Sequence, residues 1–230
     1  MFPKEPSPCD LFHYTKLPTL KNIASSGKLR LYVLKKRIGQ GELFAFARDH
    51  GLKGYYDSSQ GNSYYKELSE DIFYTSFART STNDEAMMWT LFGDGGCGAR
   101  LKFRVDPKVA DLRSIQYEQP SRTLLNQLND ALLKANAAPF IPHEISRIGG
   151  FYLPSGLQSE DEVRLMIKRY KEGRSDAQSD GSHEYWPIPI GVDNEFCRID
   201  VLEIHPGPNA KRTDIEAAVA GTPLETIPIV

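Results

Sequence analysis

The alternation of apolar and polar positions divides the chain into short strands with a few helices between them. Val163, Leu165 and Ile167 alternate with Glu162, Arg164, Met166 and Lys168, a period of two that sets an apolar face against a mostly charged one. Read as a strand, the stretch from Glu160 aims Glu160, Glu162 and Arg164 the same way. By residue type this is either a solvated edge or the acidic end of a cleft, and the solvated edge is the commoner use of such charges. Gly98 to Val105 alternates as cleanly, with Ala99, Leu101, Phe103 and Val105 inward and Arg100, Lys102 and Arg104 outward. Leu11 to Thr15, Leu29 to Val33, Asp71 to Ala78, Leu112 to Tyr117, Phe196 to His205 and Thr226 to Val230 read as further strands, and Ile148 to Leu153 as a lead into the Glu160 strand.

Helical spacing follows Pro18, with Leu17, Leu20 and Ile23 on one face and Gly27 as the stop. Further helices are predicted over 42–50, from an Asn83 or Asp84 cap to Phe92, over 121–137 with Ser121 as cap, and over 211–220. A segment rich in tyrosine (Tyr55, Tyr56, Tyr64, Tyr65) lacks periodicity and reads as a lid or an ordinary surface loop, and 171–182 reads as a flexible loop. Strand runs with interspersed helices predict an α+β fold with an antiparallel or mixed sheet, in a single domain over 1–230.

Composition narrows the function classes. Of 230 residues, 40% are hydrophobic and 25% charged, as in soluble globular proteins. The net charge of −2 gives no global field for nucleic acid, although a local basic groove stays open. No apolar run suits a membrane span or a secretion signal, so a cytoplasmic protein is expected. Three scattered cysteines and five histidines show no metal-ligand spacing, and no phosphate-loop or dinucleotide-fold glycine motif is present.

Several segments together resemble known families. Phe12-His13-Tyr14-Thr15, a helix, and then Ser26-Gly27-Lys28-Leu29 looks like the opening of DNA-targeting ADP-ribosyltransferase toxins and RNA 2′-phosphotransferases. Tyr74-Thr75-Ser76-Phe77-Ala78, Met88-Trp89, the Glu160-x-Glu162-x-Arg164 strand and the closing Val201 to Pro208 segment resemble a bacterial and phage family of unknown function, itself similar to the ADP-ribosyltransferase fold. The chain lacks that family's Asn-Asp-Pro motif after the second strand and has Ala78 where the family has serine.

The resemblance implies a split mixed or antiparallel sheet with peripheral helices that grips NAD across its centre. It implies His13, Ser76 (or Tyr74) and Glu162 as signature positions. Glu162 would stabilise an oxocarbenium-like ribose as nicotinamide leaves, and Glu160 would orient or deprotonate an acceptor. NAD as substrate would be met by His13, Tyr14, Thr15, Tyr74, Ser76, Phe77, Trp89 and Arg164, the last supplying counter-charge to Glu162. No metal is required. The activity implied is mono-ADP-ribosylation of a macromolecule, protein or nucleic acid, in a toxin or phage-defence setting.

Other readings stay open. A silent NAD or nucleotide sensor would be favoured by a Glu162–Arg164 pair closed to solvent. A nucleic-acid-processing relative would use Arg100, Lys102, Arg104 and the Lys35–Arg37 run. An interaction protein would show only a shallow surface at His13 and Glu162.

Overall fold

A computed structural model describes residues 4–35, 42–52, 69–79, 84–119, 121–140, 145–170, 173 and 175–230. Among these residues eleven strands run in chain order: β1 (Cys9–Thr15), β2 (Lys28–Val33), β3 (Ile72–Ala78), β4 (Ala99–Pro107), β5 (Asp111–Ser114), β6 (Gln116–Tyr117), β7 (Tyr152–Leu153), β8 (Glu162–Lys168), β9 (Gln178–Ser179), β10 (Glu184–Pro189) and β11 (Cys197–Pro206). The helices are α1 (Leu17–Ser26), α2 (Glu42–Asp49), α3 (Glu85–Phe92), α4 (Leu124–Lys134), α5 (Ile145–Gly149) and α6 (Arg212–Val219). The fold is α+β around one curled nine-stranded sheet whose strand pairs are all antiparallel, while β6 and β7 make a separate parallel pair.

The sheet is opened at its middle strand. One edge of β3 is paired to β8 along its whole length, from Ile72 opposite Lys168 to Ala78 opposite Glu162. The other edge is shared: β1 meets it only at Phe12 opposite Ala78, and β2 only at Tyr32 opposite Tyr74 and Val33 opposite Phe73. Among the described residues, Thr75 to Phe77 therefore have no strand paired beside them on that edge. Both neighbours run antiparallel to β3, so they are parallel to each other, and a parallel connection needs a crossover. Helix α1 supplies it. Pro18 suits its first turn, and Gly27, with φ 61°, ends it while donating to the Ile23 carbonyl. The sheet continues through β1 to β4 and β11 on one side of the slit, and through β2 to β10 and β9 on the other.

Two larger apolar clusters hold the sheet, and a smaller third packs Phe12, Tyr14 and Ala78 against Met88 and Trp89 of α3. Leu101, Phe103, Val163 and Leu165 join Ile23 of α1 and Ile215 of α6 on one side. Tyr74 and Met166 join Phe46, Leu125 and Phe151 on the other. Strand β8 is thus buried on both faces, and the expected solvated face does not exist: Met166 packs in the second cluster, and Glu162 and Arg164 are buried. Glu160 is not on this strand. It ends a 3-10 helix over Ser155–Glu160, and Asp161, with φ 41°, breaks the alternation.

Other expectations are corrected in detail. The helix over 121–137 is shorter, and its cap is Thr123, whose hydroxyl accepts from the Asn126 amide. The 112–117 strand is two pieces in two sheets, and 148–153 holds the end of α5 and the short β7. The end of the chain makes one parallel bridge, Ile204 to Ile229, in place of a strand. Lys36, Arg37, Asn83, Lys171 and the Tyr55–Tyr65 segment lie outside the described residues.

Candidate functional site

The slit across β3 holds a cavity of about 260 Å³, at the small end of ligand sites. Its middle is built from the three strands that part there. His13 of β1 is half-buried, and its Nδ1–H donates to the Ser76 carbonyl at 2.9 Å, filling part of the gap where β1 leaves β3. Edge contacts to Phe77 and Phe103, with centroids 6.0 and 6.3 Å away, fix the imidazole plane. The Ser76 hydroxyl donates to Glu162 Oε1 across the fully paired side of β3. His13, Ser76 and Glu162, far apart in sequence, thus form one hydrogen-bonded chain that lines one cavity.

Glu162 is held on three sides. Arg164 Nε and Nη2 donate to its two carboxylate oxygens at 2.7 and 3.2 Å. Its backbone amide donates to the Tyr117 hydroxyl at 3.0 Å. Burial pushes the Tyr117 pKa up to about 12, so this hydroxyl stays neutral. Arg164, in turn, donates from Nη1 to the Gly150 carbonyl at 2.7 Å and lies 4.6 Å over the Tyr74 ring. A carboxylate offers about four lone-pair positions. Ser76 and Arg164 occupy three, which leaves one on a residue that lines the cavity.

The other sequence candidates divide. Tyr14, Tyr74, Phe77 and Glu160 line the cavity with the three residues above. Thr15, Trp89 and Arg164 do not. Thr15 is buried at the end of β1. Trp89 is buried against Tyr14, ring centroids 4.9 Å apart, and its indole N–H donates to Glu85 at 3.3 Å. Arg164 is bonded to Glu162 from outside the cavity lining. Glu160 is half-buried at the rim, where the 3-10 helix approaches α3 through a Ser159 to Met87 Sδ hydrogen bond of 3.4 Å.

The basic strand face is neutralised in place: Arg100 pairs with Glu85 at 2.7 Å, Lys102 with Glu203 at 3.1 Å and Arg104 with Asp10 at 2.9 Å. Lys35 pairs with Glu70.

Sequence reasoning missed the far end of the cavity. Thr19 and Asn22 of α1 and Lys28 and Arg30 of β2 line it. The alternation of β2 was visible, but nothing in it told a slit-facing side from a solvent-facing one. Tyr117 was missed because its role depends on a register set by distant strands. Among the described residues no group of three or more His, Cys, Asp or Glu is arranged to hold a metal, and no helix is long and apolar enough to cross a membrane. In comparisons with known proteins, the chain matches no family model, no curated protein and no solved structure.

Proposed function

We propose that this chain is an ADP-ribosyltransferase-like enzyme that breaks the nicotinamide–ribose bond of NAD and transfers ADP-ribose to a macromolecule or to water. One observation carries the reading: His13, Ser76 and Glu162, singled out by resemblance, meet in a cavity where the sheet splits. In the reaction the C1′–N bond breaks with its electron pair staying on the nicotinamide nitrogen, which leaves neutral. The acceptor oxygen or nitrogen bonds C1′ and releases a proton. The developing positive ribose needs a fixed negative charge beside it. Glu162 supplies that charge, and its remaining lone-pair position accepts from a ribose hydroxyl. Strand edges opened at β1 and at Thr75–Phe77 offer backbone donors and acceptors for the carboxamide. Glu160, at the rim, takes the acceptor's proton.

Nicotinamide release from NAD tests this. Glu162→Gln keeps the size and removes the charge, and release is expected to slow by ~100-fold or more. Equal rates in the two proteins would sink the assignment.

A second reading has its own observation. The Glu162–Arg164 pair is 5% and 1% exposed, so the charge of the carboxylate is already matched inside the protein. A binder that senses NAD without cleaving it would have this arrangement. It predicts no turnover in either protein, together with a rise in melting temperature on adding NAD.

A further inference from the structure

We infer that the α1–β2 end of the slit is a subsite for a phosphate or diphosphate ester, with Arg30 and Lys28 as its cations. The charges of the cavity are divided between its walls. Glu160 and Glu162 come from the β8 side, and Lys28 and Arg30 from β2. Leu29, Leu31 and Val33 are buried, so Lys28 and Arg30, two apart, share the opposite face of β2. A ligand spanning such a cavity is electropositive at one end and anionic at the other.

Arg30 is oriented, with the neutral Tyr32 hydroxyl as its hydrogen-bond partner, but weakly neutralised. Its guanidinium lies 4.4 Å over the ring of Tyr185, a buried residue directly opposite Tyr32 on β10. Its carboxylate neighbour is Asp180, at 4.0 Å, with the two side chains 33% and 25% exposed. That is the outer limit of an ion pair, and a partly exposed pair of this kind contributes little. Asp180 is held to its own turn through Oδ1, which accepts from the Ser182 and His183 amides at 3.0 and 2.8 Å, while Oδ2, the oxygen nearest Arg30, accepts from the Tyr32 hydroxyl at 3.3 Å. A phosphate oxygen pair matches the guanidinium fork and forms shorter, charge-assisted bonds, so it displaces Asp180 from Arg30. Thr19 and Asn22, on the α1 wall, add a hydroxyl and an amide for ester or ribose oxygens. The inference rests on the NAD reading only for which ester is bound; the division of charge is independent of it.

Calorimetric titration of the whole chain with ADP-ribose and, separately, with inorganic pyrophosphate tests this. Arg30→Gln is expected to weaken ADP-ribose binding roughly tenfold or more, the loss of one charge-assisted contact. Arg30→Lys should restore part of it, and Asp180→Asn should tighten binding. Pyrophosphate binding as tight as ADP-ribose binding, with the same Arg30 dependence, would assign the site to the free anion. Native-like affinity in an Arg30→Gln, Lys28→Gln double variant of unchanged melting temperature would overturn the inference. So would a native protein that binds neither probe. Arg30-dependent ADP-ribose binding without any nicotinamide release would overturn the transferase reading and leave this inference standing.

Discussion

Glu162 and Asp111 are both buried carboxylates held by arginine, and they sit on adjacent strands of one sheet. Asp111 Oδ1 accepts from Arg113 at 3.0 Å, and Oδ2 accepts from Arg147. Glu162 has Arg164 in the same role. Only Glu162 lines the slit cavity. Burial and an arginine partner therefore do not mark a site in this fold. What separates the two is the strand beside them: β8 lies against β3 at the point where, among the described residues, no strand pairs with the far edge of β3, while β5 lies one strand further out.

That contrast can be broken from either side. The largest effect is expected from Arg164→Leu, which leaves a buried carboxylate without its counter-charge. Stability should fall by about 3 kcal/mol in urea unfolding, and a change below about 1 kcal/mol would mean that Glu162 draws its support from Ser76 and Tyr117. Next is Glu162→Gln, with its expected ~100-fold loss in nicotinamide release, about 2.7 kcal/mol in barrier.

Asp111→Asn should do the reverse, costing about 1–2 kcal/mol of stability because its arginines are partly exposed, with nicotinamide release per folded molecule unchanged. A loss of activity there would erase the distinction between the two carboxylates. The smallest effect concerns pH. His50 is buried and stacked on Phe46 at 4.2 Å, and burial lowers its pKa. Below about pH 6.5 the unfolded chain takes up a proton that the folded chain refuses. Stability should therefore fall as pH drops through that value toward the lower folded pKa. Burial and Arg100 lower the His205 pKa as well, so His50→Phe should flatten the slope of unfolding free energy against pH in part.

The parts of the fold that the sequence made legible are those with local causes. Pro18 and Gly27 bracket α1, and the alternation of β4 matches its buried Leu101, Phe103 and Val105. The parts that were not legible depend on neighbours far away in the chain. Strand β8 reads as half-charged, yet both its faces are covered, because Arg164 finds Glu162, Gly150 and the Tyr74 ring. Strand β10 escaped notice because Pro187 and Pro189 argue against a strand; the prolines nevertheless fall opposite Arg30 and Lys28 in a regular pairing with β2. His13, Ser76 and Glu162 were legible as residues through resemblance. Their junction was not, since it requires β1 and β2 to share one edge of β3.

The one-sided pairing of β3 also governs the order in which a ribosome can deliver this molecule. The strand that covers the whole of one β3 edge arrives late: Ser76 waits for Glu162, 86 residues downstream. Until then a nascent chain carries β3 with that edge bare, and a bare apolar strand edge is a template for pairing with other chains. Strand β11, which closes the far side of β4, comes later still. Assembly dominated by such distant partners is slow. The slit is therefore complete only after β8 has brought Glu162 to Ser76.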